Sequence, residues 1–160
     1  MIGLRISGAD DLAAVSRDLR KYGERGKLIR KELTKELRAI GKPAVPAARR
    51  AARSIPSKSH GTLRADIARS VQLSVKTSGR NAQITVRINP RRMPSGKKNL
   101  PGYMEGEPPF SRWRHPVYGT GKYVTQRPHP FFYSAMRPFQ RRAQLAAGAV
   151  IDRIAKDLEH

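Results

Sequence analysis

Two consecutive stretches, Val71-Gln-Leu-Ser-Val-Lys76 and Ile84-Thr-Val-Arg-Ile88, decide the fold. In both stretches apolar residues occupy every second position, which places them on one face of a β-strand. These residues are Val71, Leu73 and Val75 in the first stretch and Ile84, Val86 and Ile88 in the second. Between them, Ser78-Gly-Arg-Asn81 has the residue types of a turn. We therefore predict a β-hairpin with one buried face.

Helices are predicted on the N-terminal side of this hairpin. Apolar residues recur at spacings of three and four over 12–22 and again over 28–40, which is the period of an amphipathic helix. Two glycines lie between these stretches and interrupt the pattern. Pro43 and Pro46 each remove a helical hydrogen bond, but the alanines around them are strong helix formers. We expect a kinked or restarted helix that reaches about Ser54.

Beyond the hairpin, loops alternate with short elements. Residues 89–99 read Asn-Pro-Arg-Arg-Met-Pro-Ser-Gly-Lys-Lys-Asn, and we expect an exposed basic arm there with nothing to bury. Short strands are expected at Leu100–Gly106 and Tyr123–Gln126. An apolar stripe with helical spacing predicts a closing helix over 131–158. The stripe consists of Phe132, Met136, Phe139, Ala143, Ala146, Val150, Ile154 and Leu158.

Together these elements predict an α+β fold in a single domain, 1–160. A long N-terminal helix with a kink packs on a small antiparallel β-sheet that carries a basic loop, and a C-terminal helix closes the chain. The N-terminal helical region covers 1–54, the sheet and its loops cover 68–126, and the closing helix covers 131–158. A short helix of one or two turns is expected at Leu63–Ala68.

The chain is strongly basic. Its 33 Lys and Arg residues against 12 Asp and Glu residues leave a net charge of +21. After Asp66 the next acids are Glu105 and Glu107, and none follows until Asp152, so the excess belongs to the centre of the chain and not to a tail. Such a field attracts nucleic acid, an acidic membrane surface or an acidic protein face. We therefore expect a binding or assembly protein and not an enzyme.

The composition also excludes several classes of site. The chain has 0 Cys, which excludes a disulfide framework, a thiolate metal site and a Cys nucleophile. The N-terminus shows no signal-peptide hydrophobic run, and no window approaches the roughly 20 apolar residues of a membrane span. We expect a protein made in the cytoplasm, with no membrane partner and no cofactor.

One pair of carboxylates is a candidate for general acid and base catalysis. Glu105 and Glu107 are two residues apart, so a strand would place both on one face. Gly106 and Pro108 flank them, and we interpret the pair as turn residues that act as counter-charges for nearby arginines.

The histidines give the second catalytic alternative. His60, His115 and His129 stand apart in the sequence and lack the spacing of metal ligands. We interpret them as loop residues that hydrogen-bond the backbone. A small metal-free ribonuclease that pairs one of them with Arg91 or Arg92 is the enzyme alternative.

Basic residues suited to binding a polyanion occur in two segments. Cations of the 89–99 arm can each contact a phosphate, and the segment around Trp113 interleaves aromatic rings with cations, as stacking surfaces do. The candidate contacts with DNA or an acidic partner are Arg87, Arg91, Arg92, Lys97, Lys98, Arg112, Arg114 and Lys122. We give equal weight to a second interpretation, in which Trp113, Val117 and Tyr118 are core or interface residues and the arginines form a solvated face.

Three segments, in order, carry a family resemblance from about residue 28 to the C-terminus. The first is a Pro followed by Gly-x-Leu-Arg and a hydrophobic residue, at Pro56, Gly61, Leu63, Arg64 and Ile67. The second joins Leu100-Pro-Gly-Tyr-Met-Glu-Gly106 to Trp113-Arg-His-Pro-Val-Tyr-Gly119, and the third joins Tyr123–Gln126 to Pro130-Phe-Phe132 and a helix. With these segments the chain resembles the tail-completion or neck proteins of long-tailed double-stranded DNA phages. The resemblance is to the lambda minor tail protein Z type, and most of all to its actinobacterial-phage branch.

The resemblance implies a structural virion protein without an active site. Such a subunit forms a homo-oligomeric ring, sixfold in the family, between the head connector or stopper and the tail terminator or tail tube proteins. Double-stranded DNA passes through the lumen, and assembly takes place in the host cytoplasm. The residues expected at the subunit interface are Leu63, Tyr103, Trp113, Val117, Tyr118, Phe131 and Phe132. Ser59-His60 before Gly61 and the basic 89–99 segment depart from the family pattern.

The sequence is also compatible with two other classes of protein. One is a free nucleic-acid-binding protein of ribosomal or nucleoid type, which the basic composition favours. The other is the small ribonuclease.

Overall fold

The computed structural model describes residues 2–6, 9–56, 61–78, 83–107, 112–116 and 121–159. The fold is α+β, as predicted, with a bent N-terminal helical region, small antiparallel sheets and a long C-terminal helix. The chain forms two compact units. Unit 1 consists of Met1–Ile2, Ala47–Val71 and Ile88–Met136, and unit 2 of Gly3–Pro46, Gln72–Arg87 and Arg137–His160.

The N-terminal region is a bent succession of three helices, with breaks near the glycines and prolines that interrupt the sequence pattern. They are α1 (Ala9–Asp18), α2 (Gly23–Gly41) and α3 (Ala44–Arg53). The last of them ends one residue before the predicted limit, and it restarts immediately after Pro43, as the prolines led us to expect. In the part of the chain that the structure describes, no helix is both long and apolar enough to cross a bilayer.

The junction between α1 and α2 is unusually close. A Cβ atom on Gly26 would lie 1.8 Å from the backbone oxygen of Leu19, so only glycine allows α2 to approach the end of α1 here. Arg30 also donates a hydrogen bond of 3.3 Å to the backbone oxygen of Ser16. The position of α2 is therefore fixed by backbone contact as well as by side-chain packing.

The core of unit 2 joins these helices to the C-terminal helix α6 (Phe132–Glu159) and to a strand. Its buried members are Leu12, Val15, Leu19, Leu33, Leu37, Ile84, Ala143, Ala147, Ile151 and Ile154. The predicted stripe on α6 is right at Ala143 and Ile154, but Ala146 is exposed and Ala147 lies inside instead.

A three-stranded sheet has the order β1–β3–β2, where β1 is Gly3–Ile6, β2 is Val71–Lys76 and β3 is Gln83–Ile88. The apolar positions of β3 are buried and alternate with half-buried ones, as predicted. The sequence did not predict β1, which pairs antiparallel with β3 and places Gly3 opposite Arg87. Of the predicted turn at 78–81, residues 79–81 lie outside the described part of the chain.

The remaining elements are two short helices, α4 (Leu63–Ser70) and α5 (Leu100–Glu105), and two strands, β4 (Trp113–Pro116) and β5 (Tyr123–Gln126). The prediction of helix at α4 and of strand at β5 is confirmed. The prediction of a strand at Leu100–Gly106 is wrong, because this segment forms α5. Pro101 lies in the first turn of α5, where its missing N–H costs no helical hydrogen bond.

Candidate basic interface

Strands β4 and β5 pair into an antiparallel ribbon in which Arg114 lies opposite Thr125 and Trp113 opposite Gln126. Residues directly opposite one another in such a pair have their side chains on the same face. The ribbon therefore has two different faces. The tryptophan face carries Trp113, His115, Val124 and Gln126, and the arginine face carries Arg114, Tyr123 and Thr125.

The arginine face presents a cation held against an aromatic ring. The guanidinium carbon of Arg114 lies 4.7 Å from the centroid of the Tyr123 ring, which is a cation–π contact. Both residues are exposed, Tyr123 to 58%. Arg112, which precedes β4, and Arg127, which follows β5, are also exposed and adjoin the Trp113–Gln126 end of the ribbon.

The tryptophan face connects the ribbon to α5. The Trp113 ring stacks on Tyr103 of α5, with ring centroids 6.0 Å apart and an angle of 28° between the planes. His115 and Gln126 are joined by a hydrogen bond of 3.1 Å on this same face. Trp113, His115 and Tyr103 are half-buried, whereas Val124 and Gln126 on the same face are exposed. The arginine face carries the exposed Arg114, Tyr123 and Thr125.

Glu105, the last residue of α5, anchors the start of α6. Its buried carboxylate accepts hydrogen bonds from the backbone N–H groups of Phe131, Phe132 and Tyr133 at 2.9, 2.8 and 3.0 Å. An anion in this position satisfies donors that have no helical partner and interacts favourably with the helix dipole. Our interpretation of Glu105 as a counter-charge for arginines is therefore wrong. Its neighbour Glu107 accepts a hydrogen bond of 3.1 Å from the Tyr133 hydroxyl.

The end of α5 is itself tightly defined. Gly106 has a φ of 80°, a left-handed conformation that favours glycine. Its N–H donates to the oxygen of Tyr103 at 3.2 Å, and the Glu107 N–H donates to the oxygen of Gly102 at 3.1 Å, which together make a Schellman motif. The His129 N–H also donates to the Met104 oxygen at 2.7 Å. The segment that precedes α6 is thus fixed to α5 at several points.

The 89–99 segment is not the exposed arm that we predicted. Asn89 donates its N–H to the Ser70 oxygen at 2.9 Å, and its side chain accepts the Arg91 N–H at 3.0 Å. A 3-10 turn, Pro90–Arg92, contacts α4, and Met93 is buried. The prediction failed because Met93 was treated as part of a polar loop, whereas its burial holds the segment against the protein.

The cations of this segment stay mostly on the surface. Arg91, Arg92 and Lys98 are exposed, whereas Lys97 is half-buried. The pKa of Asp66 on α4 is lowered, first by a hydrogen bond from Arg69, then by one from Thr62 and by the charges of Arg69 and Lys97. Lys97 thus already interacts with an acid of this chain.

The other predicted site residues fall into four groups. Arg112, Arg114 and Lys122 are exposed, while Arg87, Leu63, Tyr103 and Trp113 are half-buried. Phe131 and Phe132 are buried by this chain itself, so we do not retain them as interface residues. Val117 and Tyr118 lie outside the described residues. The sequence prediction also missed Tyr123 and Arg127, because only the pairing of β4 with β5 brings these residues to the same ribbon as Arg114.

The catalytic candidates lie on different elements of the described part of the chain. No group of three His, Asp or Glu residues there is arranged to hold a metal ion. His115 lies on β4 and not in a loop as predicted, whereas His129 is exposed between β5 and α6. His60 lies outside the described residues.

Comparisons of the chain with known protein families, with curated proteins and with solved structures find no match. Within unit 1, α5 contacts both β4 and the start of α6. Tyr103 stacks on Trp113, and Glu105 binds the N–H groups at the start of α6. In the first of the three segments, Ile67 is fully buried and Arg64 donates to the Ile55 oxygen at 3.3 Å.

Proposed function

We propose that the protein is a structural component of the neck of a long-tailed phage, a tail-completion protein that acts by binding and not by catalysis. It forms a ring between the head connector and the tail, and DNA passes through the ring. The observation that carries this proposal is the junction in unit 1. The second and third segments of the resemblance meet there, through the Tyr103–Trp113 stack and the Glu105 carboxylate.

The junction favours a mechanical role for residues that could otherwise suggest chemistry. All three hydrogen bonds of the Glu105 carboxylate go to backbone N–H groups at the start of α6. The Glu107 carboxylate binds the Tyr133 hydroxyl. Both carboxylates of the candidate acid–base pair thus join α5 to the long helix, and this use suits a subunit that transmits and resists force.

A ring also requires surfaces that a second copy can cover. Rings are built from head-to-tail contacts between two different patches of the same subunit. Leu63, Tyr103 and Trp113 remain the interface candidates, because each is half-buried within its own chain. The exposed cations Arg91, Arg92, Lys98 and Arg112 provide the polar surface that faces DNA or the acidic side of a connector.

A gene knockout with complementation tests the proposal. We expect phage that lack this protein to accumulate filled heads and finished tails that are not joined, and we expect the wild-type protein supplied in trans to restore complete particles. Complete, infectious particles in the absence of the protein would exclude a neck function.

The second candidate function is that of a free nucleic-acid-binding protein, which the exposed cations and ring of the arginine face favour. Binding to purified connector and tail proteins separates the two. A phosphate-driven binder in solution loses affinity steeply between about 50 and 200 mM salt. A neck subunit instead binds its connector and tail partners, with an affinity that depends on those proteins.

A further inference from the structure

We propose that the β4–β5 ribbon binds duplex DNA in the major groove through its arginine face. This inference rests on the proposed binding role of the basic surface and narrows that role to one partner and one face. The residues that make the contact are Arg112, Arg114, Tyr123, Thr125 and Arg127.

The shape of the ribbon suits the groove. The major groove of B-form DNA, about 12 Å wide, admits a two-stranded β-ribbon. The tryptophan face is attached to α5 through the Trp113–Tyr103 stack, so the arginine face can approach a ligand without disturbing that attachment. Thr125 and Tyr123 add exposed hydroxyl groups, which commonly bind phosphate oxygens in protein–DNA complexes.

The positive charge of the arginine face favours the binding of an anion. Arg112 precedes Trp113 and Arg127 follows Gln126, so the two exposed arginines flank the last pair of the ribbon and add their charge to that of Arg114. Among the described residues, no ion pair involves Arg112, Arg114 or Arg127. Phosphates on both sides of a groove would neutralise the two arginines at once.

The same face is poorly suited to an acidic protein. Protein–protein interfaces contain an apolar core that excludes water. Among the described residues of the arginine face, the one large aromatic residue is Tyr123, and its ring already carries the guanidinium of Arg114. The exposed Val124 lies on the tryptophan face. Arginine held over an aromatic ring is, in contrast, well suited to recognising nucleic acid.

The test measures binding of the full chain to a short labelled DNA duplex by fluorescence anisotropy over a salt series. Each phosphate contact contributes about 0.9 to the slope of log affinity against log salt. We expect the R112Q/R127Q variant to lower this slope by about two. Its affinity should then fall roughly 60-fold at about 0.1 M salt. The matched control is R137Q/R141Q, which removes two exposed arginines from α6 and should leave the slope unchanged.

Three results would overturn the inference: an unchanged slope in R112Q/R127Q, an equal loss in R137Q/R141Q, or displacement of the duplex by polyglutamate at equal charge concentration. The last result would assign the ribbon to an acidic protein. If the double variant does not fold, the single variants R112Q and R127Q should each lower the slope by about one. If the protein joins heads to tails but the salt dependence of its DNA binding is the same in these variants, the ribbon inference is wrong and the proposed neck function stands.

Discussion

The carboxylate of Glu105, at the end of the short helix α5, accepts a 2.8 Å hydrogen bond from the backbone N–H of Phe132, the first residue of α6. A side chain from a six-residue helix thus determines where a 28-residue helix begins. In the proposed neck protein this contact connects the ribbon-bearing segment to the longest element of the chain.

Glu105→Gln should destabilise the protein by about 2 kcal/mol, because hydrogen bonds to a charged group contribute about 1.5–3 kcal/mol. The glutamine side chain also places its NH2 group, a donor, next to backbone N–H groups that are themselves donors. Chemical denaturation measures the loss. The control is Glu107→Gln, whose partner Tyr133 is exposed, and it should cost less than about 0.5 kcal/mol. Equal losses in the two variants would argue against the anchoring role.

Two glycine-to-alanine substitutions should have opposite effects on stability. Gly26→Ala places a Cβ 1.8 Å from the Leu19 oxygen, and forcing α1 and α2 apart should cost about 3 kcal/mol. Gly148→Ala in α6 meets nothing within 4 Å and should stabilise by about 0.5–1 kcal/mol, because alanine favours helix. Thermal unfolding of both variants checks the prediction. A neutral Gly26→Ala would contradict the close approach of the two helices.

The Asp66 carboxyl should make stability fall in acid. Its pKa is lowered below the ordinary value of 3.8, chiefly by the hydrogen bond from Arg69. A lowered pKa contributes stability that is present above the unfolded-state pKa and is lost as the pH falls through the folded-state pKa. The difference in melting temperature between pH 7 and pH 3 should therefore be smaller in Asp66→Asn than in the wild type. The same difference in both proteins would show that Asp66 does not carry this dependence.

Trp113 is the single tryptophan of the chain and reports on the attachment of the ribbon to α5. Because its ring stacks on Tyr103, Tyr103→Ala should expose the indole and shift its emission to longer wavelength. Tyr22→Ala, at an exposed site on another element, is the control and should leave the emission unchanged. An unshifted spectrum in Tyr103→Ala would show that the stack does not shield Trp113.

Helices and strands were predictable from the sequence where their apolar residues repeat with a single period. The burial of Ile84, Val86 and Ile88 follows from alternation alone, and Leu33 and Leu37 follow from helical spacing. On α6 the prediction placed Ala146 on the buried face, but Ala146 is exposed and Ala147 is buried. Spacings of three and four residues can be combined in more than one way along a long helix, so the apolar pattern alone does not identify the buried alanine.

Elements that depend on distant partners were not predictable. Strand β1 exists because it pairs with β3, which lies far along the chain, and four residues carry too little local signal. The segment Leu100–Gly106 was predicted as a strand, but it forms α5, which ends at the Gly106 cap. The unit boundaries fall inside α3, β2, β3 and α6, so no linker marks them in the sequence. The site residues Tyr123 and Arg127 likewise required the strand pairing.

The most direct test of the central claim is cryo-electron microscopy of phage particles that encode this protein. We expect a ring of several copies between the head connector and the tail, with density that fits the α5–α6 junction and the β4–β5 ribbon of each subunit. A neck that lacks this protein, or that contains it only as isolated single copies, would contradict the account.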